Sequence, residues 1–170
     1  MKIGILGGGQ LGRMLLQESA NYPVETWVME NDPQCPSAHL CHHFVLGDIR
    51  DFDTVYSFGL QVDAMTIEIE NVNIEALEKL EAEGKRIVPK PSALHTIKNK
   101  ILQKEYYKHH QIPSPAFHVT QLRADLIKYE DFLPAVHKLG MGGYDGKGVQ
   151  MIKVLAEIEK GFDAPSVLEK

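Results

Sequence analysis

The chain has 170 residues, with 18 Lys+Arg against 23 Asp+Glu, a net charge of −5 and a pI near 5.9. That length supports one or two small domains with a sizeable core and no disulfide framework. The acidic balance argues against a protein that coats nucleic acid, and no stretch approaches the ~18–20 apolar residues of a membrane span. Too few residues precede Gly7 to form the core of a signal peptide, and only two cysteines occur, which fits a reducing, cytoplasmic setting.

The first half alternates short apolar runs with helical patterns. Residues 3–6 read as a buried strand ending in glycines, and Leu11, Met14, Leu15 and Glu18 then follow helical spacing. Further strands are expected at 24–29, 43–46, 62–69 and 86–88, with helices at 51–58 (Asp51 or Asp53 near its start) and after Asn73. Strands alternating with helices imply an α/β unit with a parallel sheet. The pattern changes near residues 90–98. A helix is expected at 99–110, and Ile112-Pro113-Ser114-Pro115 forces an extended connection. Strands follow at 116–120, 135–138, 149–154 and from Ser166 to Glu169. Residues 140–148, with five glycines in nine positions, therefore lie between two strands.

Gly7-Gly8-Gly9-Gln10-Leu11-Gly12 fits G-x-G-x-x-G after a strand and at the start of a helix. Glycines allow a tight turn and close approach, and the helix N-terminus offers N–H groups to an anion. Glu30, 18 residues after Gly12, stands where a dinucleotide ribose would be held. This motif alone divides evenly between an NAD-linked oxidoreductase and a tight α/β turn with no dinucleotide. Gly142-Gly143-Tyr144-Asp145-Gly146-Lys147-Gly148 is more specific. Its amides can close on phosphates, and Lys147 and Lys138 bring cations to both sides. It lacks the Walker A pattern. The competing reading is a solvated hairpin with incidental lysines.

Taken together, Gly7 to Met14 (GGGQLGRM), Thr66 to Val72 (TIEIENV), Asn99 to Lys104 (NKILQK), Ile112 to Phe117 (IPSPAF) and Lys138 to Gly148 (KLGMGGYDGKG) resemble the N-terminal part of the N5-carboxyaminoimidazole ribonucleotide synthetases, within the ATP-grasp superfamily. The resemblance implies a Rossmann-like parallel sheet (the pre-ATP-grasp domain, residues 1–95) followed by part of an α+β ATP-grasp fold (96–170). It implies ATP-dependent carboxylation of 5-aminoimidazole ribonucleotide by bicarbonate, with ADP and phosphate as products. It also implies Mg2+ held by carboxylates beyond Lys170, a homodimer in the full-length enzyme, and a 170-residue piece that is inactive alone. Lys100, Lys138, Gly143, Tyr144, Asp145, Gly146, Lys147, Gly148, Glu169 and Lys170 match ATP-binding positions, the last two at the hinge that holds adenine. Lys147 and Asp145 are the catalytic candidates, and with Tyr144 they are also candidates for touching the imidazole. The chain departs from the pattern at Asn99-Lys100, often Asp-Arg; at Gly140, where a basic residue is usual; at His137, where an apolar one is common; and at Val149, which intervenes before Gln150.

Glu68 and Glu70, two apart on an expected strand, would point to one face at the sheet edge where open α/β sheets bind ligands. With Gln10 and Leu11 they are the candidates for holding the ribonucleotide and orienting its amine, Glu70 slightly favoured. The alternative is that one or both only cap neighbouring amides. Cys35, His39, Cys41, His42 and His43 lack the paired spacing of a zinc site and read as a helix and short strand at the sheet edge.

Overall fold

The computed structural model describes residues 1–143 and 146–170. The chain divides into two compact units, Met1–Leu94 and His95–Lys170.

The first unit is built on five parallel strands: β1 (Lys2–Leu6), β2 (Glu25–Glu30), β3 (His43–Leu46), β4 (Ala64–Ile67) and β5 (Arg86–Ile87), in the order β3-β2-β1-β4-β5. This is the α/β, Rossmann-like sheet expected from the sequence. Helices α1 (Gln10–Ser19), α2 (Phe52–Leu60), α3 (Ile74–Ala82) and α4 (Pro91–Lys98) complete the series. Leu6, Met29 and Met65 of the sheet pack with Val55 and Phe58 of α2, Leu77 and Leu80 of α3, and Leu94 of α4. Ile5 and Val28 pack with Leu16 of α1 in a separate cluster. Alternate residues of these strands thus feed opposite faces, as the pleat requires.

Two helices carry their own caps. Thr54 N–H donates to Asp51 at 2.8 Å and Ala76 N–H to Asn73 at 2.9 Å. Three expectations need correction. The fourth strand stops at Ile67, so Glu68 and Glu70 do not share a face of it. No helix forms within residues 31–42, which run as turns. Pro33 and Pro36 interrupt that stretch, and Ser37 N–H is committed to Gly8 O at 3.0 Å. The last loop-flanking strand is also shorter, ending at Ile152.

The second unit opens with α5 (Lys100–His109), capped by Asn99, whose side chain accepts from Ile101 N–H at 2.9 Å. An antiparallel sheet follows, of β6 (Phe117–Thr120), β7 (Ala135–Leu139), β8 (Val149–Ile152) and β9 (Ser166–Glu169), in the order β6-β9-β7-β8. Two 3-10 segments, Arg123–Phe132 and Leu155–Lys160, had no counterpart in the sequence reading. Leu126 and Ile158 from them close the core over Ala135, Ile152 and Leu168. His137 is fully buried on that face, and its Nδ1 accepts from Phe162 N–H at 3.2 Å. Its Nε2 therefore carries the proton and donates to Thr120 Oγ1 at 2.9 Å. Burial pushes the His137 imidazole below its ordinary pKa. An apolar side chain is thus replaced here by a neutral, fully satisfied imidazole. No helix among the described residues is long and apolar enough to cross a membrane.

Candidate functional site

At the C-terminal edge of the parallel sheet lies a cleft of about 380 Å3, lined by Gly9, Glu30, Asn31, Asp48, Ile49, Arg50, Glu68, Ile69 and Asn71. It sits where the strand order turns about β1, the position at which open α/β sheets bind ligands. The glycine motif at its floor is shaped by the protein's own side chains. Gly9 occupies the N-cap of α1 and offers no side chain to the helix amides. Glu68, 56 residues away, accepts from Gly12 N–H at 3.4 Å. A methyl group on Gly9 would stand 2.5 Å from Glu68 Oε1, so glycine is required for the carboxylate to reach the helix end. Gly8 N–H donates to Glu30 Oε2 at 3.0 Å. Glu30 is therefore turned onto a loop amide and Glu68 onto a first-turn helix amide, and a dinucleotide pyrophosphate would meet two negative charges there.

The two candidate glutamates thus separate. Glu68 reaches the amide of Gly12 as a remote helix cap and also lines the cleft. Glu70 is exposed, beyond the end of β4. Gln10 and Leu11 are exposed at the start of α1, and the cleft takes Gly9 in their stead. Arg50, Asp48 and Asn71 were not singled out by sequence reasoning. Arg50 grips Asp48 through two hydrogen bonds of 2.9 Å, and this pairing holds the Asp48 carboxyl below its ordinary value. The one available signal was their position just after β3 and β4. Cys35 is buried under Gly8, and burial pushes its thiol up. His42 Nδ1 accepts from Thr26 N–H at 3.1 Å, and His43 stacks on Trp27.

The second unit holds a smaller cavity, about 200 Å3, lined by Lys100, Gln103, Lys104, Tyr107, Lys138, Val167 and Glu169. Three lysines thus converge around one glutamate. Lys138 Nζ donates to Glu169 Oε2 at 2.7 Å, and Lys104 Nζ donates to Glu169 Oε1 and to Ser114 Oγ. Burial raises the Glu169 pKa, but the two lysine hydrogen bonds outweigh it and hold the carboxyl below its ordinary value. Glu169 therefore turns its side chain to the lysines. Lys170 lies on the outside, its Nζ 5.0 Å from the Phe132 ring centroid. Lys104 was missed as a functional residue, although its spacing of four from Lys100 puts both on one helix face.

The glycine hairpin joins β7 to β8, as expected. Leu139 N–H bonds to Gly148 O at 2.9 Å, and Gly142, Gly146 and Gly148 all have positive φ. Lys100 Nζ donates to Gly143 O at 3.1 Å and ties the loop to the start of α5. Lys147 is exposed on the loop. Tyr144 and Asp145, proposed from the sequence for ATP, substrate and catalysis, lie outside the described residues. Gly140 is explained by packing. Its oxygen accepts from Lys100 N–H at 2.8 Å, and an added Cβ would stand 2.9 Å from Pro165 O. A basic side chain has no room there.

Residues 1–98 match the ribonucleotide synthetase preATP-grasp domain family. A curated N5-carboxyaminoimidazole ribonucleotide synthase from Saccharolobus solfataricus is 36% identical over 155 residues, covering 89% of this chain and 40% of that protein. The Staphylococcus aureus N5-carboxyaminoimidazole synthetase solved with ADP superposes with a TM-score of 0.90 at 28% identity, over 99% of this chain and 47% of that one. The Aspergillus clavatus synthase solved with ADP and 5-aminoimidazole ribonucleotide gives 0.86 at 30% identity, over 99% and 46%. The chain spans between 29% and 48% of the length of such curated relatives. With more than half of its residues matched, the chain belongs to the ribonucleotide synthetase preATP-grasp domain family.

Proposed function

We propose that this chain carries the ribonucleotide-side unit and part of the ATP-handling unit of an N5-carboxyaminoimidazole ribonucleotide synthetase. The reaction is ATP-dependent carboxylation of 5-aminoimidazole ribonucleotide with bicarbonate, yielding ADP and phosphate. The observation that carries this reading is the lysine cavity beside the glycine hairpin, in a chain similar to synthetases solved with ADP and with aminoimidazole ribonucleotide.

The chemistry follows from the groups present. Phosphoryl transfer from ATP to bicarbonate spreads negative charge over the transferred group, and Lys100 and Lys138 offer fixed positive charge to it. The resulting carboxyphosphate hydrolyses in water. A glycine hairpin with three positive-φ residues can lay its amides against the phosphates and exclude solvent. Lys147 and Asp145 are assigned to the reacting centre and Tyr144 to the ligand contacts of the same loop, with Lys170 at the adenine side. In the first unit the cleft receives the ribonucleotide; Glu68 lines it but is bonded to the Gly12 amide, and Glu70, exposed between the lining residues Ile69 and Asn71, is the better candidate of the pair for its amine. An NAD-linked role is disfavoured, because Glu30 is bonded to Gly8 rather than presented to a ribose. Magnesium, which the family resemblance implies, finds no group of three or more His, Cys, Asp or Glu fit to hold it among the described residues.

ADP release dependent on both aminoimidazole ribonucleotide and bicarbonate, followed with isotope-labelled ATP on the complete product of the gene, tests the assignment. Tight NADH binding without ATP affinity would refute it. The 170-residue chain by itself is expected to give no turnover, and measurable carboxylation by it would overturn that expectation.

A further inference from the structure

The proposed chemistry uses Lys100 and Lys138 but leaves Lys104 without a task. The Lys104 side chain is only 10% exposed, against 31% for Lys138. A buried ammonium is strongly unfavourable unless it is paired and hydrogen-bonded. Lys104 satisfies both demands, through Glu169 Oε1 and through Ser114 Oγ at 2.6 Å. The other oxygen of the same carboxylate accepts from Lys138 at 2.7 Å. Glu169 is therefore clamped between an inner and an outer ammonium group.

That arrangement poses an electrostatic problem for a phosphate-binding lysine. A carboxylate 2.7 Å from Lys138 cancels much of the charge that Lys138 would offer to an anion. Among the described residues, the four charged groups lining the cavity are three lysines and one glutamate, a sum of +2. Without Lys104 the sum is +1, and Lys138 becomes the only ammonium bound to Glu169. Resting on the nucleotide-site reading above, we propose that Lys104 is a positioning residue of that site. It holds Glu169 in place and offsets its charge, so that Lys138 and Lys100 meet the polyphosphate of the nucleotide at full strength.

Titration calorimetry of ATP with a full-length synthetase that carries this chain tests this, using wild type, Lys104→Met, Lys104→Arg, Glu169→Gln and the double variant Lys104→Met/Glu169→Gln, each checked for folding by circular dichroism. Lys104→Met is expected to weaken ATP binding by about tenfold or more, as loss of one member of a buried charge network does. Lys104→Arg should recover part of that loss. The double variant removes both charges and returns the cavity to +2, so it should bind ATP more tightly than Lys104→Met, and within about threefold of Glu169→Gln alone, because Lys104 acts through Glu169. A purely structural lysine gives the opposite pattern, with no recovery in the double variant. Wild-type affinity in folded Lys104→Met, or a double variant binding no more tightly than the single one, would overturn the proposal. Should Lys104→Met not fold, the double variant compared with Glu169→Gln alone decides, a further tenfold loss in the double variant counting against the proposal. Failure of that wild-type protein to bind ATP is a separate result that overturns the nucleotide-site reading itself.

Discussion

Replacing Glu68 by alanine should destabilise the first unit although no ligand is involved. Glu68 is half-buried and accepts from Gly12 N–H, the third residue of α1. The helix has no capping side chain at Gly9 and no acidic residue in its first turn. Loss of a cap costs about 1 kcal/mol. Loss of a negative charge at a helix N-terminus adds about 0.3–1 kcal/mol. The sum, roughly 1.5–2 kcal/mol, corresponds to a fall of roughly 10 °C in melting temperature for a unit of this size. Glu68→Gln keeps an acceptor and loses only the charge, so it should cost about 0.5 kcal/mol. Glu70→Ala, at an exposed position, should stay within about 0.5 kcal/mol of wild type. Gly9→Ala supplies an internal check. Its methyl group would strike Glu68 Oε1, so its cost should shrink in a Glu68→Ala background. Urea and thermal denaturation followed by circular dichroism measure all four. An unchanged stability for Glu68→Ala, or an equal loss for Glu70→Ala, refutes the remote cap.

Three further outcomes are expected. In a full-length synthetase that carries this chain, as proposed, Lys138→Ala should raise the KM for ATP or lower turnover by about an order of magnitude or more; steady-state kinetics with an unchanged rate would remove Lys138 from the site. Gly148→Ala places a side chain at φ +76°, with its Cβ 2.9 Å from Gly143 Cα, and should cost at least about 1 kcal/mol and distort the hairpin, measurable as lost stability and weakened ATP binding. His137 links stability to pH. Because burial lowers its folded pKa, the unfolded chain takes up the proton first. Its stabilising contribution is complete above the unfolded value of about 6.5 and is lost as pH falls through the folded one. Melting temperatures from pH 8 to 5 should decline in wild type and decline less in His137→Gln, and identical profiles would contradict the buried neutral imidazole.

Much of the fold was legible in the chain because its local signals agree with one another. Strand–helix alternation, Asp51 and Asn73 as helix caps, and prolines at 113 and 115 all act over a few residues, and period and capping chemistry are readable at that range. The glycine hairpin between two strands was legible for the same reason, with Lys138 before it and Lys147 within it as candidate cations, whereas Lys100 came only from the family resemblance. The short 3-10 segments were not, since they carry no periodic apolar face long enough to detect. Their place is fixed by Leu126 and Ile158 closing the sheet core.

The sequence by itself determined which chemistry is available: a parallel sheet with a glycine turn, a second glycine loop, and lysines spaced to reach it. Only the tertiary structure decided how the carboxylates are used. Glu68 becomes the cap of a helix 56 residues earlier, Glu30 bonds a loop amide 22 residues away, and Glu169 is held by a lysine 65 residues before it. Two glutamates spaced by two look equivalent along a strand. They part once the strand ends at Ile67 and chain packing brings one of them under Gly9. Charge partners far apart in sequence are chosen by burial, because a buried ion must find whichever opposite charge the fold places beside it.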